Sequence, residues 1–502
     1  MKKINILKFF ILTFSISSAF IIQPRFLGIS KKISNFNKNI NNLKMQNNKN
    51  NNNNKLISWT KDKGILLFDI PTTPDIWAIA LVYFVQGLFG ICRLAISFYY
   101  KDTLHLTPVN LTVLSSISAI PWIIKPLYGF ISDTFPLFGY KRKSYLILSG
   151  LLGSVSWVTL GYLSTLINNG IIIGNTIATF YSVSLITLST LGLAFSDVLV
   201  DAMVISKSRD HNQTGSLQTI CWSSSSLGGI ISAYFSGYLL QKYGPSFVFY
   251  LTAIIPLIMS ASAGLVNENK IDSSNYYSNE SHINIYKLLK LQIINIRNIL
   301  LEKKILYPLI FLIIWNITPS AGSALFYFEV NKLGFQPEFF GRLGLINSLS
   351  SLFGIILYNQ KLKSIPLRSI FKWTCILGTI LGLSPLILVT HLNRIIGLPD
   401  SWFAILDDII LSILSQITFI PILVLAANIC PPGVEAMLYA TIMSANNLSG
   451  NIGKLLGGLL TQILGITNND FTNLPLLIIL TNFTGLIPLL FLNLISDKDK
   501  KN

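Results

Sequence analysis

Ile177–Ser196 reads IATFYSVSLITLSTLGLAFS, twenty residues without a charge, and Asp197-Val-Leu-Val-Asp201 follows directly. A helix rises about 1.5 Å per residue, so about 20 apolar residues cross a hydrocarbon core of about 30 Å. Backbone polar groups find no water there, and a helix satisfies them within one segment. Ile76–Phe98 repeats the pattern with few interruptions. The chain therefore reads as an all-α membrane protein. Composition agrees: 51% of its 502 residues are hydrophobic and 12% are charged, against about 25% charged in soluble globular proteins.

Working outward, apolar blocks predict spans near 76–100, 109–131, 145–167, 177–204, 215–240, 245–266, 306–328, 339–358, 368–391, 402–427, 435–464 and 473–495. The longest polar gap, Asn267–Lys304, divides them into two sets of six. The expected organisation is an N-terminal six-helix half at 75–266, a linker at 267–305, a C-terminal half at 306–495 and a charged tail at 496–502. Loops on one side carry Lys141, Arg142, Lys143, Lys207, Arg209, Lys361, Lys363, Arg368 and the basic residues of linker and tail, while opposite loops carry Lys101, Lys242, Lys332, Arg342 and Arg394. The positive-inside rule places both termini on the cytoplasmic or equivalent side. An internal echo at an offset of 221 pairs span five with span eleven, including Gly229/Gly450, Gly237/Gly458 and Gln241/Gln462. Duplicated halves related by an axis along the membrane normal have this character.

The net charge of +17 is concentrated at the start, since residues 1–61 contain no Asp or Glu and many lysines. Residues 1–19 resemble a signal peptide, with a charged start, an apolar run and small residues before a cut. Residues 20–70 form a basic, Asn-rich, acid-poor stretch, expected to be disordered and like a transit peptide. A signal followed by a transit peptide is similar to the bipartite leaders of plastids acquired by secondary endosymbiosis. The other reading is a signal anchor with a low-complexity tail. The expected location is a plastid membrane, with the plasma membrane as the alternative.

Ionisable residues inside spans are costly, about 2.5–3.5 kcal/mol on insertion scales, so they mark cavities or interhelical pairs. In span one, Gln86, Gly90, Arg93 and Ser97 share a helical stripe. Span two carries Lys125 between Pro121 and Pro126. Arg93 and Lys125 are candidate partners for an anionic cargo, and Lys125 could equally neutralise a carboxylate of span four. Asp197 and Asp201 lie one turn apart on one face. They suit a proton carrier, or a fixed pair with Lys125 or with the basic loops. Span five offers Gln218 and Trp222, the latter for stacking on a flat ring or for plain packing. Span ten has Asp407 and Asp408, as cavity residues or a boundary cap, with Asp408 a further proton-coupling candidate. Span eleven aligns Asn447 and Lys454, further cargo candidates, with Ser444, Asn451 and Gly458.

Rival chemistry finds little support. Cys92, Cys221, Cys375 and Cys430 are scattered, and no Cys/His spacing suits a metal. There is no phosphate-binding Gly-rich loop and no nucleophile elbow, so no enzyme, cofactor or metal is expected. Basic residues are not interleaved with aromatics on a folded surface, which argues against nucleic acid.

Gly129-Phe-Ile-Ser-Asp133 followed by Gly139-Tyr-Lys-Arg-Lys143 resembles the signature loop of the major facilitator superfamily, with Gly129, Asp133, Gly139 and Arg142 as its key positions. Val82–Gly87, Arg93–Asp102, Pro121–Asp133, Pro136–Tyr145, Asp197–Asp201, Leu217–Trp222, Cys430–Glu435 and Met443–Asn446 together resemble the folate–biopterin transporter family. The resemblance runs from about residue 75 to 495. It implies a major facilitator fold of twelve transmembrane helices and secondary active transport of folates or pterins, coupled to protons. Partners are then the small-molecule cargo, protons and the lipid bilayer, with a monomer expected. Some members carry S-adenosylmethionine, which is one alternative cargo beside a nucleoside-like metabolite or other organic anion. A membrane receptor that binds a pterin without moving it is the alternative of another class.

Overall fold

The structure, a computed structural model, describes residues 66–67, 70–71, 73–171, 175–211, 214–270, 294, 297–362, 365–428 and 435–495. The expected signal peptide, nearly all of the leader, most of the linker and the tail lie outside the described residues. The rest is almost wholly helical, apart from a two-residue antiparallel pairing of Leu66–Leu67 with Ile70–Pro71.

Helices α1 (Pro74–Leu88) and α2 (Gly90–Phe98) form the first span, closed by a π turn at Tyr99–Thr103. Then come α3 (Pro108–Ser118), α4 (Lys125–Thr134), α5 (Lys143–Asn168), α6 (Asn175–His211), α7 (Thr214–Thr252) and α8 (Ile254–Ser262). The second half comprises α9 (Lys303–Asn316), α10 (Gly322–Asn331), α11 (Pro337–Leu357), α12 (Leu367–Leu381), α13 (Pro385–Val389), α14 (Leu392–Ile395), α15 (Asp400–Asn428), α16 (Glu435–Ile463) and α17 (Leu474–Thr484). Proline at the first positions of α1, α3 and α11 has its φ preset for a helix and lacks an N–H that would go unused.

Among the described residues, eight helical runs are long and apolar enough to cross a membrane. One of them, Ile220–Leu265, has 46 residues, about 70 Å of helix and more than twice a hydrocarbon core. It bends at Gly244, whose φ of 76° lies in the left-handed region, immediately before Pro245. The two spans expected at 215–240 and 245–266 are therefore joined without a loop. Two other expected spans need correction. That at 109–131 is broken between α3 and α4 by a 3-10 turn at Ile120–Trp122, because Pro121 supplies no N–H and crowds the preceding turn. That at 306–328 is interrupted between α9 and α10, around Pro319. The span expected at 435–464 is continuous as α16, which is not among the eight.

Helix faces sort by environment. Leu148, Leu151, Val155, Val158 and Tyr162 form one exposed stripe on α5, at the spacing of a single helical face, as a lipid-facing surface requires. Inside, α1 crosses α7 at backbone contact. A Cβ on Gly228 would lie 2.9 Å from the Leu88 nitrogen and 3.1 Å from the Gly87 Cα. Small residues let membrane helices approach this closely.

The two halves meet through several segments. A Cβ on Gly237 of α7 would sit 2.8 Å from the Glu338 Cα and 3.0 Å from the Gly341 Cα of α11. Its echo, Gly458 of α16, faces Thr112 of α3, with the Cγ2 at 3.2 Å from an added Cβ. The echoed pair thus stands at corresponding inter-half crossings. The Tyr327 hydroxyl donates to the Leu106 carbonyl at 2.6 Å, and Thr112 to Ser323 at 2.8 Å. Phe98, Phe326 and Phe340 pack ring against ring, with centroids 5.4–6.0 Å apart. All these contacts lie toward the loops that carry few basic residues.

Candidate functional site

Three spans of the first half bring their polar residues together. The Lys125 ammonium, at the first position of α4, donates to Asp197 Oδ2 of α6. Gln86 Nε2 of α1 donates to Asp197 Oδ1 at 2.9 Å. One turn along α6, Asp201 Oδ1 accepts from the Tyr83 hydroxyl at 2.5 Å. The Lys125 nitrogen also stands 4.6 Å from the Trp122 ring centre, on its face, a cation–π distance. Both side chains of the ion pair are about nine-tenths buried.

The local sequence explains this arrangement. Tyr83 and Gln86 are three residues apart and share a face of α1, while Asp197 and Asp201 are four apart on α6. The break around Pro121 leaves Trp122 in a 3-10 turn just before Lys125 opens α4, and ring and ammonium meet there. An aromatic stack of Tyr128, Phe195 and Tyr145 lies beside the pair, with centroids at 5.0 and 5.2 Å, and ties α4, α6 and α5 together.

The expected residues divide into several groups. Gln86, Lys125, Asp197 and Asp201 are gathered, and of the alternatives for Lys125, the pairing with a span-four carboxylate is the one observed. Arg93 is exposed and has no ion pair among the described residues. It is two turns beyond Gln86 and on nearly the same face. Gly90 does not belong to that surface, since an added Cβ would run into the Ser232 side chain. Trp222 is 45% exposed and touches Phe419 of α15 edge-on, at 6.3 Å and 80°. Gln218 lies in α7, but its side chain is outside the described residues. Asn447 donates to the Trp122 carbonyl at 3.2 Å, joining α16 to the broken segment. Lys454 is exposed. Asp408 belongs to a second set, accepting from Asn347 at 3.2 Å, while Asp407 accepts from Ser384.

The signature loop is organised through its backbone. Leu137 and Tyr140 exchange backbone hydrogen bonds of 3.0 Å. Phe138 and Gly139 between them have φ of 54° and 83°, the pattern of a type I′ turn. Asp133 is exposed and makes no ion pair among the described residues. A Cβ on Gly129 would meet only Val198 at an ordinary 3.5 Å, so packing does not demand glycine there. Arg142 acts through its backbone. Glu268, just after the sixth span, accepts the backbone N–H of Lys141, Arg142 and Lys143 at 2.9, 3.1 and 3.0 Å. It caps the start of α5, where a carboxylate also meets the positive end of the helix dipole.

Tyr83, Trp122 and Glu268 were not singled out from the sequence. Tyr83 was within reach, being one turn before Gln86 in a charge-poor span. Trp122 and Glu268 depend on a chain break and on a long-range cap that no spacing announces. A cavity of about 540 Å³ in the second half, lined from α9, α10, α12, α15 and α17, contains none of the expected site residues.

Residues 86–502 match the BT1 family. The chain is 42% identical over 438 residues to a folate-biopterin transporter of Synechocystis, covering 87% of this chain and 84% of the relative. It is 31% identical to folate transporter 2 of Plasmodium falciparum, covering 84% and 87%. Among solved structures, the nucleoside transporter NupG superposes with a TM-score of 0.60 at 13% identity, over 84% of this chain and 99% of that one. A D-xylose-proton symporter gives 0.59 at 16%, over 85% and 99%. With its polytopic helical architecture, the chain belongs to the BT1 family of membrane transporters and has the major facilitator fold.

Proposed function

We propose that the protein moves folates or pterins across its membrane by proton-coupled secondary transport with alternating access. The observation that carries the coupling is the buried set Tyr83, Gln86, Lys125, Asp197 and Asp201. Of two carboxylates one turn apart, Asp197 holds the single ammonium and Asp201 holds the Tyr83 hydroxyl, so a proton on either one alters the network. Protonation of Asp197 would weaken its hold on Lys125 and free a cation for the glutamate end of a folate. Protonation of Asp201 would turn the Tyr83 contact from acceptor to donor or break it. Either event shifts α1 and α4 relative to α6 and biases which side of the cavity is open.

The cargo reading is supported by the names of the relatives, folate-biopterin transporter and folate transporter. Alternating access is supported by the inter-half contacts at Gly237–Gly341, Tyr327–Leu106 and Phe98–Phe326–Phe340, which join the halves toward the loops with few basic residues and would hold that end closed. The acid-free basic leader supports a plastid membrane as the location.

The test is folate uptake across a pH series by Asp197→Asn and Asp201→Asn. At least one of them should flatten the pH dependence while leaving folded protein. Unchanged pH dependence in both would remove the coupling role. Competition by S-adenosylmethionine in place of folate would reassign the cargo, and binding without accumulation in sealed vesicles would make the protein a receptor.

A further inference from the structure

The second half contains a chamber that the charge network does not use. It has a volume of about 540 Å³ and no Asp, Glu, Lys, Arg or His in its wall. That volume suits a small organic ligand. The interruption between α9 and α10 opens onto it at Thr318–Gly322. The other side of the interruption is sealed by α16, since a Cβ on Gly453 would lie 2.6 Å from the Thr318 carbonyl and 2.8 Å from that of Asn316.

Much of the polar wall has its donors already used, although Ser320, Ser415 and Trp315 add groups that can donate. Thr374, Thr379, Thr418 and Thr481 each donate their hydroxyl proton to a carbonyl of their own helix, at 2.9, 3.0, 2.9 and 3.0 Å. Asn482 donates its amide to Gly382 and Ile478 at 2.8 Å, and Asn316 donates to Leu312 at 3.0 Å and Asn446 at 2.6 Å. Their donors are committed to the protein, and lone pairs remain on the hydroxyl and amide oxygens. Such a chamber can accept from the N–H groups of a ligand, and Ser320 and Ser415 can donate to its ring nitrogens or carbonyl. With no charge in the wall it suits a neutral group, and a bare cation or an anion would stay unpaired. Phe419 lines the chamber and carries Trp222 on its ring edge, so an aromatic rim connects it to the first half.

We infer that this chamber is the subsite for the aminated heteroaromatic ring of the cargo, while the Lys125–Asp197 region handles the acidic end. The inference rests on the proposed folate or pterin cargo. It places ring recognition in the second half, on Thr418, Thr481 and Asn482, and gives Gly378 the role of leaving room. An added Cβ at Gly378 would meet only Leu414 at 3.8 Å, so a larger residue there narrows the chamber without a clash at its root.

The experiment measures biopterin and folate uptake by wild type, Gly378→Leu and the near-isosteric Thr418→Val/Thr481→Val in proteoliposomes. Gly378→Leu and the double variant should raise KM for both cargoes about tenfold, the scale of one or two lost hydrogen bonds. Vmax per folded protein should stay within about twofold, and thermal stability should hold. An unchanged KM in the folded double variant, or a loss confined to Vmax, overturns the subsite. Should Gly378→Leu not fold, the double variant decides alone. Wild-type protein that takes up neither compound overturns the cargo reading, and the subsite with it.

Discussion

Lys125 and Asp197 form a buried ion pair between α4 and α6, capped on one side by the Trp122 ring and on the other by the Gln86 amide. A charge held this way is stable only while its partner stays charged. That makes the pair both a structural link and a point where one proton has leverage.

Removing one partner should therefore be worse than removing both. Lys125→Met or Asp197→Asn alone leaves an uncompensated buried charge, which costs about 3–5 kcal/mol in such settings. The double variant removes both charges of the pair, leaves Asp201 on its Tyr83 hydrogen bond, and should recover part of that loss. Thermal unfolding of purified protein in detergent reads this directly. A double variant as unstable as the single ones would mean the pair does not couple in the folded state.

The close crossing of Gly237 and Gly341 predicts a conformational phenotype. Gly237→Leu wedges α7 from α11, and overpacking of this kind costs about 1–3 kcal/mol. The closed end should then open part of the time, a population change of about 5-fold or more. A cysteine placed at Ser323, opposite Thr112, should gain reactivity toward a membrane-impermeant maleimide in the wedged protein, and uptake should fall. Unaltered labelling would show that this crossing does not hold the closed end.

Glu268 predicts a stability effect far from any cargo. Its carboxylate accepts three backbone N–H groups at the start of α5, and charged acceptors make stronger bonds than neutral ones. Glu268→Gln should lower stability by about 1–2 kcal/mol, seen as a lower Tm with KM for cargo unchanged. Gly139→Val should destabilise as well, by about 1–2 kcal/mol, because its φ of 83° crowds a side chain. Wild-type Tm in both would mean that the loop is held by something else.

The class of fold was legible because a bilayer makes one demand on every span, and Ile177–Ser196 meets it in plain composition. The four residues Gln86, Lys125, Asp197 and Asp201 were legible because intramembrane polar groups need a reason to exist. Boundaries were less so. Pro121 and Pro319 break spans that look continuous by apolarity, and Gly244 with Pro245 joins two spans where a loop was expected. Asp133 is exposed and makes no ion pair among the described residues, while Glu268 holds the loop through backbone amides. Such caps depend on which chain ends meet in space, and periodicity does not encode that. The chamber around Asn482 was invisible for the same reason, since each of its polar residues looks locally satisfied on its own helix.

The central claim is proton-coupled folate transport, and the direct measurement is uptake of labelled folate into proteoliposomes with and without an inward acid gradient. Saturable uptake that overshoots equilibrium only with the gradient, and loses that overshoot in Asp197→Asn or Asp201→Asn, is the predicted result. Equal uptake with and without the gradient, or none in vesicles that hold folded protein, would contradict it.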